Sequence, residues 1–298
     1  MLNCALLSIS NTKGWFCDDD LLHEPLQKLN WRVQNIPWNK PIDWDLFDLV
    51  IIRSTWDYQD HLNQFIKVLN NIQESRAILL NSLELVKWNI NKNYLFDLEN
   101  KGVELVPSIK TISLKMTDIK SAFEKFKTAE LIVKPTIGAN ADDTFRIKKK
   151  DITDFEELES TFHNRECMIQ PFMRNIVEEG EYSLMYFQGK LNHTILKTVK
   201  VGDYRVQEEH GGGVIPIEMP DILLVSSANK AMNSLPEKPF YARVDMVRTS
   251  QNSFALMELE LIEPSLYFKF DDESAQNFAE CINEYWKMKK TAHNNGYN

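Results

Sequence analysis

Glycine is scarce in this 298-residue chain, with ten in all and neither a GxxxxGK[ST] run nor a GxGxxG run. That excludes a Walker A loop and the usual dinucleotide-binding fingerprint. Cysteine is scarcer: Cys4, Cys17, Cys167 and Cys281 lie far apart, without a CxxC pair or a histidine at metal-ligand spacing, and read as structural thiols. Basic charge is in deficit. The 34 Lys and Arg residues against 43 Asp and Glu give a formal charge of -9, which argues against nucleic acid as a partner. No apolar run approaches the ~20 residues that span a bilayer, so no membrane span is expected. The start, "MLNCALLSIS", lacks a basic n-region and a long h-region, so it reads as a first strand of a cytoplasmic protein. Repeats, low-complexity tracts and Pro/Gly-rich linkers are missing too, which leaves compact lobes joined by ordinary loops.

What is present is a soluble globular composition, 43% hydrophobic and 26% charged. Strand and helix signals alternate at first: "CALLSIS", "DDDLLHEPLQKLN", "WRVQNIPW", "FDLVIIRS", a helix through Leu62, Phe65, Ile66 and Leu69, then "AILLNS". This is the pattern of a small parallel α/β unit. A helix is predicted from Leu83 to about Gly102, which stands where a C-terminal cap belongs. An α+β stretch follows, with strands "AELIVKP", "DTFRIKK" and "CMIQPFM" and helices "DIKSAFEKF" and "DFEELESTF". The remainder is mostly antiparallel: one hairpin turns at Gln188-Gly189, a second turns within Thr249 to Ser253, and "SAQNFAECINEYWKMKK" closes the chain as a helix.

Chemistry concentrates in a few places. In "ALMELELIEP" the alternation puts Glu258 and Glu260 on one face, and pairing across the second hairpin sets Asp245 opposite residues 257 to 259. Three carboxylates on one face repel unless a cation compensates them, which suits Mg²⁺; alternatively "LELEL" is a solvated acidic face. "LIVKPTIGANADDTF" delivers Lys134 from an apolar strand into a loop holding Gly138, where backbone amides and an ammonium can meet phosphates, although a Lys-Pro after a strand can also be structural. "IIRSTWDY" places Arg53, Ser54, Thr55 and Asp57 at the C-terminal end of a parallel strand; Arg53 is either a carboxylate clamp or one half of a surface ion pair with Asp57 or Asp60. His210 beside "GGG" does not make an esterase, because no GxSxG elbow exists. His193 and the seven tryptophans read as core.

Taken in order, Lys92, "VKP" at 133 to 135, "IQPFM" at 169 to 173, "GEYS" at 180 to 183, "GDYRVQ" with "GGG" at 202 to 213, "RVD" at 243 to 245 and "ELELIEP" at 258 to 264 resemble an ATP-grasp ligase. The likeness spans nearly the whole chain. It is similar to the prokaryotic glutathione synthetase and ribosomal-protein glutamate ligase branch, and most of all to the O-ureido-serine cyclo-ligase type, whose "RSTWDY" motif it shares. The resemblance implies an α/β and α+β chain: an ATP-grasp fold with an N-terminal small parallel α/β (pre-ATP-grasp) domain. The lobes would be residues 1–86, a central lid subdomain 87–170 with the lid itself at roughly 105–168, and a C-terminal subdomain 171–298 with the metal site.

The implied site follows residue by residue. Lys92, Lys134 and Gly138 meet the phosphates of ATP, the hinge with Gln170, Phe172 and Met173 holds adenine, and Glu181 accepts from the ribose. Lys197 and Arg205 sit over the transferring phosphoryl group; Asp245, Glu258 and Glu260 hold Mg²⁺, with Glu263 left out as facing the other way. Arg53, Ser54 and Asp57, together with backbone amides at Gly211 and Gly212, take the substrate. The implied activity is an ATP-dependent carboxylate-amine ligase acting on a small amino-acid-like acid through an acyl phosphate, with amide or ring-closing bond formation and release of ADP and phosphate. A non-catalytic ATP-binding regulatory paralogue is the alternative. Relatives are commonly dimers or tetramers, which leaves a homodimer open. Two departures stand out: the loop after Lys134 keeps a single glycine, and the last metal position is Glu260 where many relatives have asparagine.

Overall fold

The β-rich chain is organised around three sheets. The computed structural model describes residues 1–138, 141–151, 155–200, 202–203, 205–206 and 211–294. Leu2–Ser8 (β1), Trp31–Pro37 (β2), Leu49–Ser54 (β3) and Ile78–Leu80 (β4) make a parallel sheet in the order β2-β1-β3-β4. Every residue of β3 is buried, as its unbroken apolar run requires of a strand covered on both faces. The helices between these strands are His23–Lys28 (α1) and Leu62–Glu74 (α2).

The single helix expected from Leu83 to Gly102 is two, Leu83–Asn89 (α3) and Tyr94–Asn100 (α4). The break falls at "NINKN" because asparagine side chains compete with helical hydrogen bonding. Asn89 turns its amide to the strand that ends at Glu260: its Nδ2 donates to Leu259 O (2.9 Å) and its Oδ1 accepts from Leu261 N (3.0 Å). Asn91 Oδ1 accepts from Asn93 N at 2.9 Å, and Lys92 N reaches Thr136 O at 2.8 Å. Lys92 therefore lies in a turn, not on a helix. Gly102 does cap α4, with φ at +80° and its N-H on Glu99 O at 2.7 Å.

Ile109–Ile112 (β5), Glu130–Pro135 (β6), Phe145–Lys148 (β7) and Glu166–Pro171 (β8) form an antiparallel sheet, β5-β8-β6-β7. With Met116–Phe126 (α5) and Glu156–Thr161 (α6) it encloses its own core around Ile119, Phe123, Leu131, Val133, Phe162 and Ile169. A short helix, Asn175–Glu178 (α7), leads into the third sheet, whose order is β11-β10-β9-β12-β13. Its strands are Glu181–Phe187 (β9), Lys190–Thr198 (β10), Gly213–Pro216 (β11), Tyr241–Arg248 (β12) and Phe254–Glu260 (β13). Gln188 and Gly189 turn the first hairpin at φ +46° and +71°, the left-handed pair a two-residue loop demands. Ile222–Asn233 (α8) and Ser274–Asn294 (α9) complete the chain. The strand β11 and the helices α7 and α8 have no counterpart in the sequence reading. No helix among the described residues is long and apolar enough to cross a membrane.

The first and third sheets share one core, in which Leu6, Leu26 and Ile51 pack with Phe187, Tyr241, Phe268 and Phe278. Asn81 stitches the seam: its Nδ2 donates to Tyr241 O (2.9 Å) and Leu261 O (2.8 Å), while its Oδ1 accepts from Phe240 N. His193 on β10 is buried, as expected of a core histidine, and burial pushes its pKa down to about 4. The unfolded chain, with an ordinary value near 6.5, binds that proton first. Stability contributed by neutral His193 is therefore complete above about pH 6.5 and drains away as pH falls toward 4, by up to about 3 kcal/mol. Urea unfolding at pH 7.5 and pH 4.5 should show a smaller loss for His193→Gln than for the wild type; equal losses would contradict this.

Candidate active site

Strand register assembles the site. Lys197 on β10 stands opposite Glu181 on β9, Ser183 on β9 opposite Asp245 on β12, Asp245 opposite Glu258 on β13, and Arg243 opposite Glu260. Paired residues point to one side of a sheet, so all seven side chains project from the same face. The pairing of Asp245 with Glu258 falls where the hairpin argument puts it, with a bulge just after Asp245. Contacts follow from this. Lys197 Nζ bonds Glu181 and lies 3.6 Å from Asp245; Arg243 clamps Asp245 (Nη2 to Oδ2, 3.0 Å) and also reaches Glu260; Ser183 Oγ donates to Asp245.

This face floors a cavity roofed by the central sheet. Lys92, Lys134, Gly138, Gln170, Phe172, Met173, Glu181, Lys197, Arg205, Asp245, Glu258 and Glu260 all line it. At one end Ile132, Val106 and Met257 join Gln170, Phe172 and Met173 in a mostly apolar slot; Gln170 Nε2 donates to Ser108 Oγ at 2.8 Å, and Arg146 stacks on Phe172 with 3.7 Å to the ring centroid. Arg205 grips Asp203 with Nε and Nη2, at 3.1 and 2.8 Å. Lys92 Nζ bonds both Glu258 and Gly138 O, each at 2.8 Å. Residues 139–140, next in that loop, and His210 lie outside the described residues.

The residues assigned to substrate stand elsewhere. Arg53 is 2% exposed and pairs with Asp19 (2.8 Å), with a further bond to Pro264 O, so it is neither a clamp in the cavity nor a surface pair with Asp57 or Asp60. Ser54 is buried beside it, and Asp57 accepts from Trp38 Nε1 at 2.6 Å. Gly211 and Gly212 are absent from the cavity wall as well. A Cβ on Gly212 would sit 2.3 Å from Val206 O, so glycine is needed there for backbone packing. The far end of the cavity is instead aromatic: Trp15, Phe16, Trp56, Tyr58 and Tyr267, with the Trp15 and Trp56 rings 5.4 Å apart. Two tryptophans read as core thus face a cavity. An odd spacing hid them, since Trp15 and Phe16 come from a loop with no strand or helix period.

Glu263 also needs correction. The strand β13 ends at Glu260, so parity does not carry on to residue 263, and Glu263 faces the cavity. Burial first, then Glu260 and Glu258, push its carboxyl up to about 8. For Asp245 burial works the same way but is outweighed by Arg243 and Lys197, which hold it at about 2. Burial raises Glu260 despite Arg243. The side chain of Lys134 makes no hydrogen bond or ion pair among the described residues, and burial followed by the nearby Lys92 ammonium lowers its pKa. Burial alone would depress Lys92, but Glu258 raises it instead.

For Mg²⁺ the donor set fits in kind: Asp245, Glu258 and Glu260 are hard oxygen donors on one wall. They are engaged by Arg243, Lys197 and Lys92, and among the described residues no three Asp, Glu, His or Cys side chains form a closed cage. That suits a cation that keeps water and phosphate oxygens as its remaining ligands. Arg243, which composition and spacing left unassigned, was legible in principle from its period-two relation to Asp245. Arg243→Leu should cost about 3 kcal/mol or more at pH 8 by stranding two buried carboxylates, and adding Asp245→Leu should recover part of it. Urea unfolding of both variants checks this; a double variant no more stable than the single would contradict it.

Residues 4–81 match the family model described as the N-terminal domain of D-cycloserine synthetase DcsG. The chain is 26% identical over 261 residues to the cycloserine biosynthesis protein DcsG of Streptomyces lavendulae, covering 83% of this chain and 86% of that one. In fold it is similar to the crystal structure of D-cycloserine synthetase DcsG, with a TM-score of 0.82, 23% identity, and 95% and 99% of the two chains covered. It is also similar to D-alanine-D-alanine ligase from Bacillus anthracis (TM-score 0.69, 15% identity, 98% and 100% covered). A third likeness is to the ATP-grasp ligase PsnB in complex with a minimal precursor, Mg and ADP (0.65, 12%, 95% and 98%). The chain has the ATP-grasp ligase fold over 95% of its length and is related in sequence to D-cycloserine synthetase.

Proposed function

We propose that the chain is an ATP-dependent ligase that activates a small amino-acid-like carboxylate as an acyl phosphate and transfers the acyl group to an amine or similar nucleophile. One observation carries this reading. A single cavity is lined by an apolar slot, by several cations including Lys134, whose side chain has no ion pair, and by Glu263, a carboxyl without a cation. A nucleotide laid base-first into the slot would bring its phosphates to Lys92 and Lys134. The relationship to D-cycloserine synthetase favours the ring-closing version, with acid and nucleophile in one molecule.

The chemistry asks these residues for charge management. A carboxylate oxygen bonds to the γ-phosphorus of ATP while the bridging P-O bond breaks and its electron pair leaves with ADP. The nucleophile's nitrogen then bonds to the acyl carbon, loses its proton, and inorganic phosphate departs with the C-O electron pair. Two anions must meet in the first step, and Lys197, Arg205, Lys92 and Lys134 supply the positive field. Arg205 is held in place by Asp203, and Lys197 by Glu181 and Asp245, so neither has to be ordered during reaction. Glu181 is placed to accept from the ribose only as far as Lys197 shares it. Asp245, Glu258 and Glu260 would hold Mg²⁺, which when bound supplies further neutralisation of phosphate charge. In this reading the lobes divide at about residues 86 and 170. The central layer, with its own core, serves as the lid that keeps water from the acyl phosphate.

ADP and phosphate release should exceed background with Mg²⁺ and at least one member of a panel of amino acids and amines, and Lys134→Ala should raise the KM for ATP at least about tenfold. A protein that binds ATP yet turns over nothing in the panel would favour the non-catalytic paralogue and contradict the ligase reading.

A further inference from the structure

We infer that Glu263, backed by the rings of Trp15, Trp56 and Tyr58, selects a substrate that carries a protonated amine. This inference rests on the ligase reading for what the cavity does, and adds which acid it accepts. The four carboxylates of the sheet each have a protein cation: Glu181 has Lys197, Asp245 has Arg243 and Lys197, Glu258 has Lys92, and Glu260 has Arg243. Glu263 has none: among the described residues its carboxyl meets only its own backbone N-H and no Lys, Arg or His side chain pairs with it. A carboxyl group buried without a cation holds its proton up to about pH 8, and a cationic ligand is what would complete its ionised form.

The surroundings say which ligand. Glu263 cannot swing out to solvent easily, because its backbone is tied on three sides: its own carbonyl accepts from Trp56 Nε1 (3.1 Å), Pro264 O from Arg53 Nη2 (3.1 Å) and Ser265 O from Arg243 Nη1 (3.2 Å). The buried pair of Arg53 with Asp19 anchors the same corner, so the loop bearing Trp15 and Phe16 is fixed against it. The walls beside Glu263 are aromatic, and ring faces attract a cation. An ammonium meets both demands, as a counter-charge for Glu263 and a cation among aromatic rings. A hydroxyl in its place could donate a hydrogen bond but brings no charge, and a methyl group brings neither. The amine would thus be seated at the aromatic end, and the carboxylate to be activated would extend toward Lys197 and Arg205.

The test uses α-amino acids of both hands, alanine and serine among them, against the hydroxy acids and plain acids that match their shape. The full chain is held with Mg²⁺ and a non-hydrolysable ATP analogue, and binding is read by thermal shift and calorimetry. The wild type should prefer the amine-bearing member of a pair. In Glu263→Gln, which keeps size and shape, the amine-bearing acid should bind about 10- to 100-fold more weakly, while its amine-free partner and the ATP analogue bind as before. Rescue of the preference by Glu263→Asp would add support. Three results would overturn the inference: a wild type indifferent to the amine or binding no member of any pair, equal loss for both members, or a changed affinity for Mg²⁺ or ATP, which would make Glu263 part of the metal site. ADP release, measured separately, judges the ligase reading, so the two can fail independently.

Discussion

The buried charge pairing on the face of β9, β10, β12 and β13 is the constraint on which the rest of the molecule depends. Carboxylates at neighbouring register positions would drive the sheet apart if left alone. Arg243 lies between Asp245 and Glu260, Lys197 between Glu181 and Asp245, and Lys92 reaches Glu258 from the turn between α3 and α4. Arg243 and Lys197 belong to the sheet itself, and Lys92 alone comes from outside it. Its pairing with Glu258 therefore both balances the face and ties the α3–α4 turn to the cavity floor.

That coupling explains details that look local. The asparagines that break the predicted helix after Asn89 do so to seat Lys92, since Asn89 locks α3 to the backbone of residues 259 and 261. Thr136 O, from the loop that follows Lys134, accepts from Lys92 N, so this backbone contact ties together the segments bearing both cavity lysines. On the opposite side Asn81 and Tyr241 bind the parallel sheet to the antiparallel one, and Arg53 with Asp19 fixes the corner where Glu263 emerges. The N-terminal lobe shapes the aromatic end of the cavity through buried bonds, and among the described residues it lends no charged side chain to the wall.

Legibility followed periodicity. Strands with clean alternation, such as "YARVDMVR" and "FALMELE", showed both their hairpin and the meeting of Asp245 with Glu258, because pairing across a short turn fixes which residues face each other. The metal assignments, with Lys134, Gln170, Glu181 and Lys197, lie on strands, while Lys92, Gly138, Phe172, Met173 and Arg205 come from turns and loops, and all of them line one cavity. Arg53 misled because its place at a strand end is right, yet a sequence does not show that Asp19, 34 residues earlier, returns to neutralise it. Trp15 and Phe16 were invisible, and Glu263 was assigned the wrong face, for a related reason: they sit in irregular segments whose direction is set by tertiary hydrogen bonds. At Gly212 the structure supplies a reason for glycine that the sequence did not show, crowding by Val206 O.

The central claim is that Lys92 neutralises Glu258 on this acidic face and that Mg²⁺ with ATP would take its place there, freeing Lys92 for phosphate. The direct measurement is the affinity for ATP with and without Mg²⁺, by calorimetry, in the wild type and in Glu258→Gln. The account predicts that Mg²⁺ tightens wild-type binding at least about tenfold, because ATP alone adds anions to a balanced face. In the variant, Lys92 is released, so metal-free ATP should bind more tightly than in the wild type and the gain from Mg²⁺ should shrink. The same Mg²⁺ gain in both proteins, or weaker metal-free binding in the variant, would contradict it.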